Sequence, residues 1–186
     1  MPKISISAGF CIFHAVMLIL LPLQWCAAWL TAMAVHEMGH CIALRMTKRP
    51  IERIHLTVTG AQIQTNSLSG GEDLLCSLAG PVAGLLLALV TTGHPRLFLC
   101  ALWQSVYNLL PLDAMDGGRA LYQCARLCFS EKIAARICNI FHYGTLGCIF
   151  VIGLLAAFCG SLGILPLLIA IIILLRNRKT PCNAYQ

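Results

Sequence analysis

Charge is scarce in this chain. Only 11% of its 186 residues are Asp, Glu, Lys or Arg, where a water-soluble domain carries roughly a quarter. That scarcity excludes a disordered, charge-swollen chain and argues against an ordinary globular enzyme. Acidic residues are the scarcest, seven against 13 basic. No C-x-x-C occurs among the 11 cysteines, the count is odd, and most lie in apolar segments. A disulfide scaffold is therefore not expected. No internal repeat, low-complexity tract or extra soluble domain is visible. What fills the chain instead is apolar: 59% of residues, gathered in long runs that point to an integral membrane protein.

Six segments are long and apolar enough to be read as membrane helices, at about 7–24, 26–44, 73–92, 97–112, 137–159 and 162–175. The fourth and sixth are short for a core about 30 Å thick, as tilted or partial spans would be. The expected fold is an all-α polytopic membrane protein of about six transmembrane helices, forming one membrane-embedded domain. With the N-terminus in the cytosol, 12 of the 13 basic residues fall on the cytosolic side. They are Lys3, the 45–53 loop, the 113–136 loop and the tail. Only Arg96 lies outside, so the positive-inside rule supports six crossings with both termini cytosolic. A nucleic-acid surface would need these charges on one soluble face, and none is expected. Lys3, the first apolar run and Ala27-Ala28 resemble a signal peptide, but a second apolar segment follows at once. A retained first helix is the expectation.

The longest polar stretch covers 45–72. In it Ile54, Leu56 and Val58 alternate with polar residues, Gly60 breaks the run, and Gln62-Ile63-Gln64-Thr65 continues. This predicts a small β-hairpin at the cytosolic face. Ser69-Gly70-Gly71 reads as a turn into the third helix.

Ionisable groups inside an apolar helix are costly and therefore functional suspects. The second segment holds His36-Glu37-Met38-Gly39-His40, an H-E-x-x-H. Helix positions i and i+4 share a face, so both imidazoles can reach one metal ion, and Glu37 lies near enough to act on water beside it. His40 and His36 lie roughly 7 and 13 Å below the cytosolic surface at about 1.5 Å per residue. A zinc hydrolase needs a third protein ligand. The remaining acids are Glu52, Glu72, Asp73, Asp113, Asp116 and Glu131, and the residues expected of a metzincin are missing, since Ala43 and Met46 stand there. Topology brings Asp113 and Asp116 to the right leaflet. Asp116 precedes Gly117-Gly118, which allow a tight backbone turn toward the bundle; Asp113 lacks that setting and stays the alternative.

His36-Glu37-Met38-Gly39-His40, followed by Asn108-Leu109-Leu110-Pro111-Leu112-Asp113-Ala114-Met115-Asp116-Gly117-Gly118-Arg119, resembles the site-2 protease family of intramembrane zinc metalloproteases. That family's signatures are H-E-x-x-H and N-x-x-P-x-x-x-x-D-G. Ser77-Leu78-Ala79-Gly80-Pro81 resembles the small-residue motif opening its next core helix. The likeness covers about residues 7–122, read as the catalytic core, with further helices at about 137–175. The compact form is similar to stage IV sporulation protein FB and its relatives. The resemblance implies one Zn2+ held by His36, His40 and Asp116, Glu37 as the catalytic glutamate, and Asn108 holding substrate or the oxyanion. It implies a zinc metalloendopeptidase that cuts a transmembrane protein substrate within a lipid bilayer, a bacterial plasma membrane. The site would open to the cytosol, and an inhibitory membrane partner fits the same picture. One departure is Ala114, where many members have proline.

In the implied reaction Glu37 takes a proton from water activated at the metal and passes it to the leaving amine. The 52–65 strand is a candidate to receive an unwound substrate as an added strand. Two other functions compete. A metal-ion transporter would not need Glu37, and transporters often show repeated halves, which this chain lacks. A catalytically silent relative that binds membrane helices is free to lose that acid. Elsewhere the readings are structural. His14 and His142 are expected to pack or hydrogen-bond between helices, and His55 to be solvated. Gly80 and Gly84 form a G-x-x-x-G of close helix packing, with a dimer seam as the alternative. Trp25, Trp29 and Trp103 are interface or packing residues, and Cys124 and Cys128, four apart, are expected in a core.

Overall fold

The computed structural model describes residues 3–57, 60–65, 69–159 and 171. The sixth predicted segment, 162–175, lies almost wholly outside the described residues. The chain divides into two compact units, Met1–Asn108 and Leu109–Gln186.

The first unit opens with strand β1 (Lys3–Ile6) and helix α1 (Ala8–Leu20), whose first turn is capped by the Ser7 hydroxyl accepting from the Phe10 N–H at 3.1 Å. Helix α2 (Leu23–Met46) follows Pro22, whose fixed φ suits a helix start. It ends at Thr47, and Lys48 turns the chain away with φ 56. Strands β2 (Ile51–Thr57) and β3 (Gly60–Thr65) form the predicted hairpin, with Ile54 opposite Ile63 and His55 opposite Gln62. β1 adds to β2 in parallel, so the sheet has three strands in the order β1-β2-β3. Four residues of alternating Lys-Ile-Ser-Ile give too short a pattern to read as a strand in advance, and a parallel partner 50 residues away leaves no local signal. In that pairing the Ser5 hydroxyl and His55 Nδ1 lie 2.8 Å apart, so His55 is half-buried and partnered rather than solvated.

Helix α3 (Gly70–Val90) begins with a full capping box: the Ser69 hydroxyl accepts from the Glu72 N–H, and the Glu72 carboxylate accepts from the Ser69 N–H. Arg49, just ahead of β2, forks onto that same carboxylate, its nearest nitrogen 2.8 Å away. Helix α4 (Pro95–Asn108) completes the unit. Small residues let α2, α3 and α4 approach closely. Ala28, Ala32, Ala88, Cys100 and Ala101 form one buried cluster, flanked by Trp25 and Trp29. Trp103 instead faces outward, 64% exposed. A second cluster of Ala43, Leu44 and Cys76, with Ile51 and Ile63 beside it, joins the C-terminal end of α2 and the start of α3 to the hairpin.

The second unit holds α5 (Asp116–Cys128) and α6 (Glu131–Cys159). The 113–136 stretch, expected as a loop, contains this 13-residue helix. An amphipathic helix bearing Arg119 and Arg126 has no long apolar run to announce it. Tyr122 and Ala125 of α5 pack on Ala134 and Cys138 of α6, and the Tyr122 hydroxyl donates to Glu131 at 3.3 Å. Cys124 and Cys128 are exposed, not in a core, because α5 turns its Tyr122 and Ala125 face inward.

The fold is thus mostly helical, with six helices and one small sheet among the described residues. Of these helices α3 and α6 are long and apolar enough to cross a membrane, and α1 is apolar but shorter. Large apolar side chains cover the outside, among them Ile19, Leu89, Val90 and Phe158. Exposed large apolar side chains in this number suit lipid better than water.

Candidate metal centre

α2 carries the two histidines. His36 is buried and His40 half-buried, one helical turn apart, with ring centroids 4.9 Å apart. Their Nε2 atoms lie 3.2 Å from each other. Two nitrogens each about 2.0–2.1 Å from one tetrahedral zinc sit about 3.3–3.4 Å apart, so the pair fits one ion.

The tautomer of His40 follows from its other nitrogen. Nδ1 lies 2.7 Å from the Cys76 carbonyl oxygen on α3. A carbonyl only accepts, so Nδ1 carries the hydrogen and Nε2 presents a lone pair toward His36. Gly80, one turn further along α3, makes room for this ring: any Cβ there would run into His40 Nε2 and Cε1. Gly39 does the same for the helix backbones, because a side chain at that position would strike the Ala79 carbonyl. Gly84 meets the Ser105 side chain of α4. The G-x-x-x-G therefore serves packing inside the unit. Glu37 is half-buried, and its Oε1 lies beside the bare Cα of Gly60 at the hairpin tip.

Asn108 is the last residue of α4. Its amide donates to the Gln104 carbonyl at 3.0 Å and has a second N–H to offer. Gln104 itself donates to the Trp29 carbonyl of α2 at 3.0 Å, tying the two helices together at depth.

In the second unit Asp116 is the first residue of α5, where a carboxylate is favoured by the helix dipole. Its position depends on the 109–115 segment. Met115 N–H donates to the Leu112 carbonyl at 2.8 Å, and Leu112 N–H to the Leu110 carbonyl at 2.8 Å. Gly117 and Gly118 were expected to turn the backbone tightly. They lie instead within the first turn of α5, where side chains would collide with the carbonyls of Leu109, Leu110 and Leu112. Their value is close approach.

Asp113 has a different setting. Its backbone N–H donates to His142 Nδ1 of α6 at 3.2 Å, and its Oδ1 lies 3.4 Å from the same nitrogen. Both side chains are almost fully buried. Burial pushes the Asp113 carboxyl above the usual carboxylate range, and the imidazole beside it draws it partly back. His142 thus binds a loop rather than another helix. His14 bonds within its own helix, its Nδ1 2.9 Å from the Phe10 carbonyl.

The sequence thus pointed to the histidine pair and to Glu37, and the structure places all three on α2. It gave no sign of the Cys76 carbonyl, the Gly60 contact or the Asp113–His142 pair. A main-chain acceptor has no letter of its own, and the other two depend on tertiary folding. Gly80 did carry a signal, the small-residue motif, whose object was a histidine ring.

The first unit is a helical bundle that carries H-E-x-x-H on α2 beside a small sheet. Over 144 residues, 68% of the chain, the sequence is 29% identical to a zinc metalloprotease of Methanocaldococcus jannaschii. The match covers 40% of that protein, so the chain spans about two fifths of its relative's length. The fold is shared with a site-2 protease from the same organism, with a TM-score of 0.68 over 97% of this chain and 93% of that one at 18% identity. No protein-family model matches the sequence. The resemblance to the site-2 protease family carried by the motifs is thus supported by a sequence relative and by a shared fold.

Proposed function

We propose that this chain is an intramembrane zinc endopeptidase of site-2 type, hydrolysing a peptide bond in a transmembrane protein substrate. The observation that carries the reading is the pair of Nε2 atoms 3.2 Å apart, with His40 fixed as an Nε2 donor by the Cys76 carbonyl. His36, His40 and Asp116 are the ligands we assign. Asp116 is the third ligand that the family resemblance implies, while Asp113 pairs with His142. A zinc ion held there supplies a Lewis acid that brings the pKa of water toward about 7 and takes up charge on a carbonyl oxygen.

Glu37 receives the proton of the attacking water and returns it to the departing amine. Asn108, with one amide hydrogen uncommitted by its bond to Gln104, adds a donor for the substrate carbonyl. The basic loops support a topology with both termini and the mouth of the site in the cytosol. Water then reaches the site from that side, because His36 and His40 lie in the half of α2 that ends at Arg45.

The test compares purified wild type with Glu37→Gln, measuring zinc content and cleavage of a panel of tagged single-span membrane proteins. Both should hold about one zinc, and only the wild type should cut. Zinc in both without cleavage by either would favour a silent relative. A folded protein without zinc would overturn the metal centre.

A further inference from the structure

The hairpin tip meets the H-E-x-x-H helix at one atom. Gly60 opens β3 with φ +125, the one positive-φ glycine among the described residues, in a region that residues with side chains rarely adopt. Its carbonyl accepts from the Thr57 hydroxyl at 2.9 Å, across the tip from its register partner. A Cβ built on Gly60 would lie 2.9 Å from Glu37 Oε1, so the carboxylate, the far end of a flexible side chain, would have to shift by a few tenths of an ångström. Among the described residues beyond its chain neighbours, no other atom lies within 4 Å of that position. The hairpin backbone at Gly60 therefore lies close beside the Glu37 carboxylate.

A carbonyl and a glycine set His40, and the hairpin backbone adds a contact on the Glu37 side. Glutamate is a long side chain with much rotamer freedom to lose, and a general base must be held within about 0.5 Å of its working geometry.

We infer that Gly60 is a positioning residue: the tip of the β2–β3 hairpin confines the Glu37 carboxylate, so the sheet sets the base as well as flanking it. The inference rests on the proposed role of Glu37. It makes glycine at position 60 a requirement of the chemistry beyond the requirement of the turn.

The test is a double-mutant cycle on the full chain in detergent, with wild type, Gly60→Ala, Glu37→Asp and the double variant, each assayed for zinc content, kcat and KM. Gly60→Ala should keep about one zinc and a near-normal KM. Its kcat should fall on the order of 10-fold, since relieving the contact moves the carboxylate by a few tenths of an ångström, where about 1 Å costs about 100-fold. Aspartate is one methylene shorter and leaves room for the added methyl, so Glu37→Asp should cost much less in the Gly60→Ala background than alone. Independent, multiplying losses, or a Gly60→Ala enzyme with normal kcat, would overturn the inference.

Should Gly60→Ala fail to fold, Thr57→Val loosens the tip without adding an atom near Glu37. It should lower kcat several-fold with zinc retained, and an unchanged kcat would overturn the inference. Hydrogen exchange supplies a reading that needs no turnover. Glu37→Ala removes the tip's counterpart, so amides of residues 60–65 should exchange several-fold faster while those of α4 stay as they were. Unchanged exchange would deny the contact. If wild type holds zinc and cuts nothing, the proposed function falls while the exchange result still decides whether tip and carboxylate are coupled.

Discussion

His40 is held on two sides, by a carbonyl that fixes its proton and by a glycine that admits its ring. Gly80→Ala should therefore displace a metal ligand without touching the metal. We expect zinc affinity to fall by about 10- to 100-fold, the usual cost of disturbing a ligand's outer partners. Competition with a chromophoric chelator reads this directly. Gly71→Ala, where an added Cβ meets nothing within 4 Å among the described residues beyond its chain neighbours, serves as the control. Equal affinities in the two variants would contradict the assignment. Asp113 supports a second prediction at this scale. Its folded-state pKa is raised by burial above an unfolded value of about 3.9, so the folded protein holds this proton more tightly. The stability it contributes is fully present below about pH 3.9 and is lost as pH rises through the folded value. Asp113→Asn should remove that loss, so the variant's melting temperature should fall less than the wild type's between about pH 3.9 and neutrality. Parallel pH profiles for the two would reject it.

At the scale of elements, what was legible followed the periodicities. α1 to α4 and α6 read out as apolar runs and β2–β3 as an alternating pair with Gly60 between. H-E-x-x-H was legible because a spacing of four on a helix defines one face. α5 was not, since its inward face is Tyr122 and Ala125 rather than a run. Nor was β1, whose pairing with β2 is stabilised by a hydrogen bond between residues 50 apart. The third ligand came from resemblance more than from physics. Two aspartates three residues apart look alike in sequence, and only the second unit's folding shows that Asp113 is engaged with His142. Asp116 remains the ligand we propose.

For the molecule as a whole, the apolar exterior and the placement of its basic residues make a joint statement about orientation. Reporter fusions at the C-terminus should be active in the cytosol, and a reporter inserted beside Arg96 should be active on the opposite side. A cytosolic signal from the Arg96 site would refute the proposed topology. Inside that frame, the clamp on His40 gives the molecule an uneven tolerance of inherited change. The group that fixes the imidazole's proton belongs to the main chain of residue 76, and no point mutation can delete it. Position 76 is free to drift among residues that the Ala43–Leu44 cluster can house. Position 80, four residues on, has no such latitude. Lineages of this chain should vary, within that limit, at the residue whose carbonyl holds the imidazole and hold still at the one that only makes room for it.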